Sequence, residues 1–336
     1  MLSSPIYDNS EFFISIIVIG SCVAVYYKRL TGSTPGGIVP IGASLILAIR
    51  NPLWSLLCVA LSFVGYWFYL VSISRLDKRG GFPHVYSIAV ITMVTGIATA
   101  YVLQWIGLID IQGMTIGGLV VPAILANQYR LQGIKVTIRG FAFCISMTLA
   151  LVVCLVYTAN AFGASESLFA HFQVQHIPDE SRYLKFYPLA SLVSLIFGFF
   201  VYRKSGMRTG GYIMAPLAAQ LLTSVNTAMI FVSGLIVLYL VQVLLTQYTL
   251  IIGLQRYLAS IIFAAVFVWF SILFIQQGLS SQDATFLGSA WILVLVLASY
   301  SADLYVYRRK KSYIYILLNT LIAYVLVIVF RVSAAI

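Results

Sequence analysis

The chain has 336 residues, of which 61% are hydrophobic and only 9% are charged. Soluble domains carry roughly 25% charged residues, so this composition excludes a soluble enzyme and is typical of a polytopic membrane protein. Twenty basic residues against nine acidic ones give a net charge of +11. In a soluble protein that excess would indicate nucleic acid. Here basic residues on cytoplasmic loops explain it, and no nucleic-acid partner is expected.

Apolar segments recur along the whole chain. The length of many of them is close to about 20 residues, which is what a helix needs to cross the hydrocarbon core of a bilayer. Their residues do not alternate as barrel strands do. The sequence therefore predicts an all-α integral membrane fold of about 12 transmembrane or short broken helices. The predicted segments are 12–27, 36–50, 52–74, 84–106, 113–129, 137–159, 186–202, 210–225, 227–250, 255–276, 285–305 and 313–332.

The distribution of basic residues predicts the topology. If all the segments cross and the N-terminus lies outside, most of the 20 basic residues fall on the cytoplasmic side, as the positive-inside rule requires. The exceptions are Arg50, Arg182, Lys185 and Arg331. Segments 36–50 and 113–129 are short and contain glycine pairs, so either could instead be a re-entrant hairpin. The charge pattern favours twelve crossings.

Two motifs place a Gly-Gly pair a few residues before a proline. Residues 34–40 read TPGGIVP, and residues 115–122 read TIGGLVVP. One hypothesis is that these glycines expose backbone N–H groups at half-helix N-termini, where the positive dipole end attracts carboxylates. The alternative is that they allow helices to pack closely. The residues concerned are Gly36, Gly37, Pro40, Gly117, Gly118 and Pro122.

The chain also repeats itself. Gly32, Gly36 and Gly37 recur 174 residues later as Gly206, Gly210 and Gly211, whereas the second motif has only a faint later copy. This pattern predicts two six-segment halves, as is common in transporter folds. The predicted domains are a first membrane repeat at 1–160, an extracytoplasmic linker at 161–185 and a second, diverged repeat at 186–336.

The motifs resemble those of a known family. Residues 29–40, the pair Asn51-Pro52, residues 116–127 and residues 130–133 resemble the membrane subunit of bacterial poly-γ-glutamate synthases, the CapC/PgsC family. The resemblance covers about residues 12–158. The chain is about twice the usual length of that family, and its second half lacks the Val-Pro and Gln-Gly signatures.

The resemblance implies a role in capsule biosynthesis at the bacterial plasma (inner) membrane. Family members work with a cytoplasmic ATP-dependent amide ligase, similar to Mur ligases, that joins glutamates through their γ-carboxyls. The membrane subunit would anchor that ligase and help to export the anionic poly-γ-glutamate. Membrane lipids are expected partners, and the sequence leaves open whether the chain forms a homo-oligomer.

Polar residues beside the motifs are candidates for a polymer path. Asn127 and Gln128 lie at the inner end of the second motif helix, where they could line a pore or bond a neighbouring helix. Basic residues near the inner helix ends could dock the ligase or attract a polyanion, although the positive-inside rule and lipid headgroups account for such charges too. The basic candidates are Arg29, Arg130, Lys135, Arg139 and Arg203.

The sequence offers little for catalysis. It has no phosphate-binding loop of the Gly-x-x-x-x-Gly-Lys-Ser/Thr type, and His171 and His176 lack the spacing of a helical metal pair. We therefore expect no catalytic residue, metal or cofactor, and we expect the ligase chemistry in a partner. The alternatives are an ion-coupled transporter of a small carboxylate or polymer precursor, which would need buried ionisable groups that are scarce here, and a purely structural anchor.

Overall fold

The computed structural model describes residues 10–50, 52–72, 84–107, 116–161, 187–207, 214–222, 225–248, 253–278, 290–306 and 310–335. Within these ranges the chain forms twelve helices and no strand. The predicted all-α fold is therefore confirmed. The linker predicted at 161–185, with His171 and His176, lies outside the described residues except for Ala161.

The helices follow the predicted segments closely. In the first half they are α1 (Ser10–Thr31), α2 (Val39–Arg50), α3 (Pro52–Ser72), α4 (His84–Trp105), α5 (Ile116–Gln132) and α6 (Ile134–Ala161). In the second half they are α7 (Tyr187–Ser205), α8 (Met214–Leu221), α9 (Val225–Tyr248), α10 (Leu254–Gly278), α11 (Ala290–Val306) and α12 (Lys310–Ala335).

Six of the described helices are long and apolar enough to cross a bilayer. These stretches are Phe12–Thr31, Pro52–Ser72, His84–Trp105, Ile134–Ala159, Thr227–Tyr248 and Leu254–Ser271. Shorter apolar stretches follow at Val39–Ile49, Ile292–Val306 and Tyr313–Val329. Helix length and apolarity identify an integral membrane protein, while twelve complete crossings stay a prediction.

Helix α2 is only part of a crossing. Its 12 residues extend about 18 Å at 1.5 Å per residue, less than the about 30 Å of a hydrocarbon core. It begins at Val39 because residues 32–38, predicted in part as helix, are non-helical and contain Gly36 and Gly37 with positive φ angles of 77° and 110°. The first Gly-Gly pair therefore lies in the non-helical loop that precedes the short helix α2.

Helix α2 lies very close to α1. A Cβ atom on Gly42 would lie 2.8 Å from the Cα of Ile17, and one on Gly20 would lie 3.0 Å from the backbone nitrogen of Gly42. Only glycine permits two helix backbones to approach so closely. This contact holds the start of α2, and therefore the loop before it, at a fixed position against α1.

The two halves share one order of helix packing among the described residues. In the first half α1 packs on α2 and α6, α2 also packs on α3, α5 and α6, and α3, α4 and α5 pack on one another. The corresponding helices of the second half make the same pairs. One pair differs, since α5 packs closely on α6 whereas α11 and α12 lie farther apart and are bridged by the hydrogen bond between Tyr300 and Thr320.

Apolar contacts join the halves in a reciprocal way. Helix α1 packs on α10 and α11, and α7 packs on α4 and α5, so each half offers the same helices to the other. The largest buried cluster contains Phe13 and Ile17 from α1 together with Ile261 and Val268 from α10. Burial of such side chains stabilises the bundle through close packing.

Candidate functional site

The loop between α1 and α2, residues 32–38, connects the two sequence motifs. Gly32 ends α1 with a φ of 73°, and its N–H donates to the Lys28 carbonyl at 2.8 Å, as in a glycine-terminated helix. The chain then runs along the end of α5, which carries the second motif. The site is therefore a junction of two distant parts of the sequence.

Gln132 holds this loop through its side-chain amide. Its Oε1 accepts hydrogen bonds from the Thr34 N–H at 3.0 Å and from the Thr34 hydroxyl at 3.1 Å. Its Nε2 donates to the Thr34 carbonyl and, at 3.1 Å, to the hydroxyl of Thr137 in α6. Gln128, one turn earlier, also accepts from the Thr34 hydroxyl, at 2.7 Å. We call Thr34, Gln128, Gln132 and Thr137 the loop clamp.

The clamp provides hydrogen-bond partners for the backbone N–H and C=O of Thr34, which lies in the non-helical loop before α2 and has no helical partners. A buried N–H or C=O without a partner costs about 1–3 kcal/mol, and inside a membrane irregular backbone persists only where protein or water covers it. Gln132 covers both the N–H and the C=O of Thr34. This explains why an amide, which has one donor and one acceptor group, occupies position 132.

Gly36 and Gly37 pack tightly against α5 and α6. A Cβ on Gly36 would lie 2.6 Å from Leu125 Cδ2 and 3.1 Å from the Phe141 ring, and one on Gly37 would lie 3.2 Å from Ile124. The Gly36 N–H donates to the Thr34 carbonyl at 2.9 Å and so is already engaged. These contacts favour the close-packing interpretation of this pair.

The other motif residues lie along α2 and α5. Pro40 is buried in the first turn of α2 and packs against Gly37, where its missing N–H costs nothing. Pro122 is buried within α5. Gly117 and Gly118 belong to the first turn of α5, and their packing environment lies outside the described part of the structure.

Asn127 and Arg130 form a second polar face of α5. They are three residues apart, so they share one face of the helix, and both are partly exposed. The Oδ1 of Asn127 and the Nε of Arg130 are buried and have no hydrogen-bond partner among the described residues. Since buried polar atoms nearly always find a partner, this face is suited to a ligand that both accepts and donates hydrogen bonds.

The remaining basic candidates are exposed at helix ends. Arg29 lies in the last turn of α1, and Lys135 and Arg139 lie in the first two turns of α6. The loop clamp brings these two helix ends together. Arg203 lies in the last turn of α7. The ring of the neighbouring Tyr202 packs against Tyr86 of α4, with the two ring centroids 5.3 Å apart.

Sequence reasoning missed the pairing of Thr34 with Gln132. Both residues stand inside the motifs that carried the family resemblance, so a signal was present in their types. Thr34 follows the end of α1, and Gln132 precedes Gly133, which ends α5. Both side chains can form hydrogen bonds in an otherwise apolar chain. Their separation of 98 residues hid the contact.

The helices and the polar junction define the class of the chain: an all-α integral membrane protein in which partly buried hydrogen bonds hold the loop before a short helix. Residues 19–138 match the family model described as capsule biosynthesis CapC. This part of the chain is therefore similar to the CapC family, which confirms the resemblance and connects this stretch with capsule biosynthesis. The match contains the whole loop clamp, Asn127 and Arg130. Searches of curated proteins and of solved structures found no match.

Proposed function

We propose that the chain is the non-catalytic membrane subunit of a synthase that makes poly-γ-glutamate or a related anionic polyamide at the bacterial inner membrane. It anchors a cytoplasmic ATP-dependent amide ligase and assists transfer of the polymer across the membrane. The family match at residues 19–138 supports the link to capsule biosynthesis. The single observation that carries the finer proposal is the pair of unpartnered polar atoms at Asn127 and Arg130.

This pair is complementary to the repeating chemistry of the polymer. Each γ-linked glutamate presents a carboxylate and a secondary amide. The guanidinium of Arg130 donates hydrogen bonds to a carboxylate, and the Oδ1 of Asn127 accepts one from an amide N–H. Because the two residues share a face of α5, they contact neighbouring groups of one extended chain. The polymer path then follows α5, beside the broken helix, rather than the Gly36–Gly37 backbone itself.

The ligase docks on the exposed basic ends of the first half. Arg29, Lys135 and Arg139 are exposed and lie on helix ends joined by the loop clamp. An exposed cationic surface attracts an acidic partner surface and speeds its association. Arg203 extends this surface at the end of α7. A homo-oligomer would multiply these surfaces.

The second half serves as a diverged copy of the first that completes the bundle. Its helices pack in nearly the same order, and its glycines repeat at the 174-residue offset. At the 174-residue offset of the first motif, Thr34 corresponds to Arg208, which lacks the hydroxyl that Gln128 and Gln132 bind in the clamp. Its function is therefore support for the broken helix of the first half.

The proposal is tested by purifying the full chain with a candidate Mur-like amide ligase and measuring glutamate polymerisation with and without the chain in proteoliposomes. We expect the two proteins to copurify and polymer to accumulate inside inverted vesicles only when both are present. Ligase that neither binds the chain nor depends on it would contradict the proposal. Glutamate uptake by the chain alone, driven by an ion gradient, would instead support a transporter.

A further inference from the structure

A cavity of about 570 Å³ lies in the second half, between α9, α11 and α12. Its walls include Phe231 and Leu235 from α9, Leu304 from α11 and Ile316 from α12. At the corresponding place in the first half, α5 packs directly on α6. The cavity therefore lies where α11 and α12, bridged by Tyr300 and Thr320, pack less closely than α5 and α6 do.

The hydrogen-bonding groups of Tyr300 and Thr320 in the cavity wall are already paired with each other. The Tyr300 hydroxyl bonds the Thr320 hydroxyl at 2.8 Å, and the Thr320 hydroxyl donates to the Ile316 carbonyl at 2.9 Å. A polar ligand would have to compete with these bonds, whereas an apolar ligand leaves them intact. The chemistry of the wall selects hydrocarbon.

The cavity opens along the outer surface of the bundle. Leu317 and Val232 line it and are 66% and 51% exposed, and in a membrane protein such apolar surface faces lipid. From Tyr313 to Tyr324, its first and last residues on α12, the cavity extends about 16 Å at 1.5 Å per residue. This is about half of a hydrocarbon core of about 30 Å, which is the depth of one leaflet.

We propose that this cavity binds one hydrocarbon chain of an anionic phospholipid. The volume lies within the range of about 300–1,000 Å³ for small-molecule sites, and the depth fits an acyl chain from one leaflet. Helix α12 begins with the basic residues Lys310 and Lys311, which precede Tyr313 by three and two residues. Basic clusters next to membrane helices attract anionic headgroups, and tyrosines concentrate at headgroup level.

Native mass spectrometry of the full chain in mild detergent tests the proposal, with phosphatidylglycerol and phosphatidylcholine of identical acyl chains as probes. We expect one phosphatidylglycerol to be retained per chain and phosphatidylcholine to be retained several-fold less. Leu317→Trp, which fills the cavity, should reduce retention at least about tenfold. Leu318→Trp, on the same helix outside the cavity wall, should retain lipid as the unmodified chain does.

A second pair of variants repeats the comparison on α9. A cross-linking lipid applied to the unmodified chain tests the same site without any substitution that could disturb folding. Val232→Trp should reduce retention, and Ile236→Trp, one turn farther along α9, should not. Phosphatidylglycerol with a photoreactive acyl chain should label Leu317 in preference to Phe143, an exposed residue of α6. Equal labelling of the two, or equal retention by the filled and control variants, would overturn the proposal. Equal retention of phosphatidylglycerol and phosphatidylcholine would overturn the preference for an anionic headgroup. If the chain instead forms dimers that carry no lipid, and Leu317→Trp abolishes these dimers, the occupant of the cavity is a second copy of the chain.

Discussion

The two halves of the chain share an order of helix contacts but use polar groups differently. In the first half, Gln128 and Gln132 bond the hydroxyl or backbone of Thr34 in a loop, in addition to helix-to-helix bonds such as Ser62 with Tyr129. In the second half, where residues 208–213 of the corresponding loop lie outside the described residues, the described side-chain pairs bond one helix to another. They are Ser194 with Asn319, Gln242 with Ser260, Tyr257 with Ser299 and Tyr300 with Thr320.

The different use of polar groups distinguishes the contacts that hold the helix bundle together from the contacts that shape the candidate site. Apolar packing of small and large side chains is enough to produce the same helix order twice. A broken helix, however, needs specific partners for its freed backbone groups, and only the first half has the Thr34 and Gln132 pair. We therefore expect polymer handling to depend on the first half, and bundle stability to depend on both.

The largest expected effect separates two glycines with nearly equal backbone angles. Gly36 and Gly32 have φ angles of 77° and 73°, so alanine at either position costs about 1–2 kcal/mol in backbone strain. At Gly36 the new Cβ would also lie 2.6 Å from Leu125, which adds about 1–3 kcal/mol of overpacking. The free energy of unfolding, measured by SDS titration in mixed micelles, should fall more for Gly36→Ala than for Gly32→Ala.

The second half supplies the control for this comparison. Gly206 has a φ of 68°, and a Cβ there would meet no atom within 4 Å, as at Gly32. Gly206→Ala should therefore match Gly32→Ala. Equal losses at all three positions would show that Gly36 is needed only for its backbone angle and that the close contact with α5 contributes nothing.

The next effect tests the loop clamp. Gln132→Leu removes the partner of the Thr34 N–H and one of the two donors to the Thr34 C=O, which keeps the Gly36 N–H, and we expect a loss of about 1–3 kcal/mol in the free energy of unfolding. Gln128→Leu removes only one bond, to the Thr34 hydroxyl, and should cost about 0.5–1.5 kcal/mol. The same micelle titration measures both, and a larger loss for Gln128→Leu would refute the assigned role of Gln132.

A third effect concerns the polymer rather than the fold. Arg130→Gln removes the charged donor, and we expect polymer export in proteoliposomes to fall about tenfold, equivalent to about 1.4 kcal/mol. The unfolding free energy should change little because Arg130 is only partly buried. Lys204→Gln, at an exposed position in the last turn of α7, is the matched control. Equal export by the two variants would remove Arg130 from the polymer path.

The smallest effect is expected at the basic helix ends. Changing Arg29, Lys135 and Arg139 to glutamine should weaken ligase binding a few-fold at low salt. The difference should vanish near 1 M salt, where the Debye length falls to about 3 Å. A variant that exchanges arginine and lysine at the same three positions keeps the charge and should bind normally. Dissociation constants at two salt concentrations measure this, and a loss that persists at 1 M salt would contradict an electrostatic surface.

The sequence predicted the helices far better than the site. Long apolar runs locate segments such as α9 and α10 to within a few residues, because bilayer thickness fixes their length. For the segment predicted at 210–225, the described helix α8 is Met214–Leu221, and positions 210–213 lie outside the described residues. The glycine pair at Gly36 and Gly37 correctly indicated where the backbone departs from helical geometry.

The site depended on contacts that one sequence cannot reveal. Residue types indicated that Thr34 and Gln132 form hydrogen bonds, but not with each other, because that pairing depends on how α5 lies beside the loop. The cavity next to Leu317 depends on the spacing of α11 and α12, which is set by tertiary packing. Gly36 was predicted as a candidate ligand contact, and its surroundings favour packing.

Site-specific photo-cross-linking during synthesis tests the central claim most directly. A photoreactive residue replaces Leu131, which is exposed beside Arg130, or Met229, which is exposed on α9, in the full chain with its ligase and labelled glutamate. The account predicts polymer cross-linked at position 131 and none at position 229. Polymer that is synthesised and exported without cross-linking at position 131, or that cross-links equally at both positions, would contradict it.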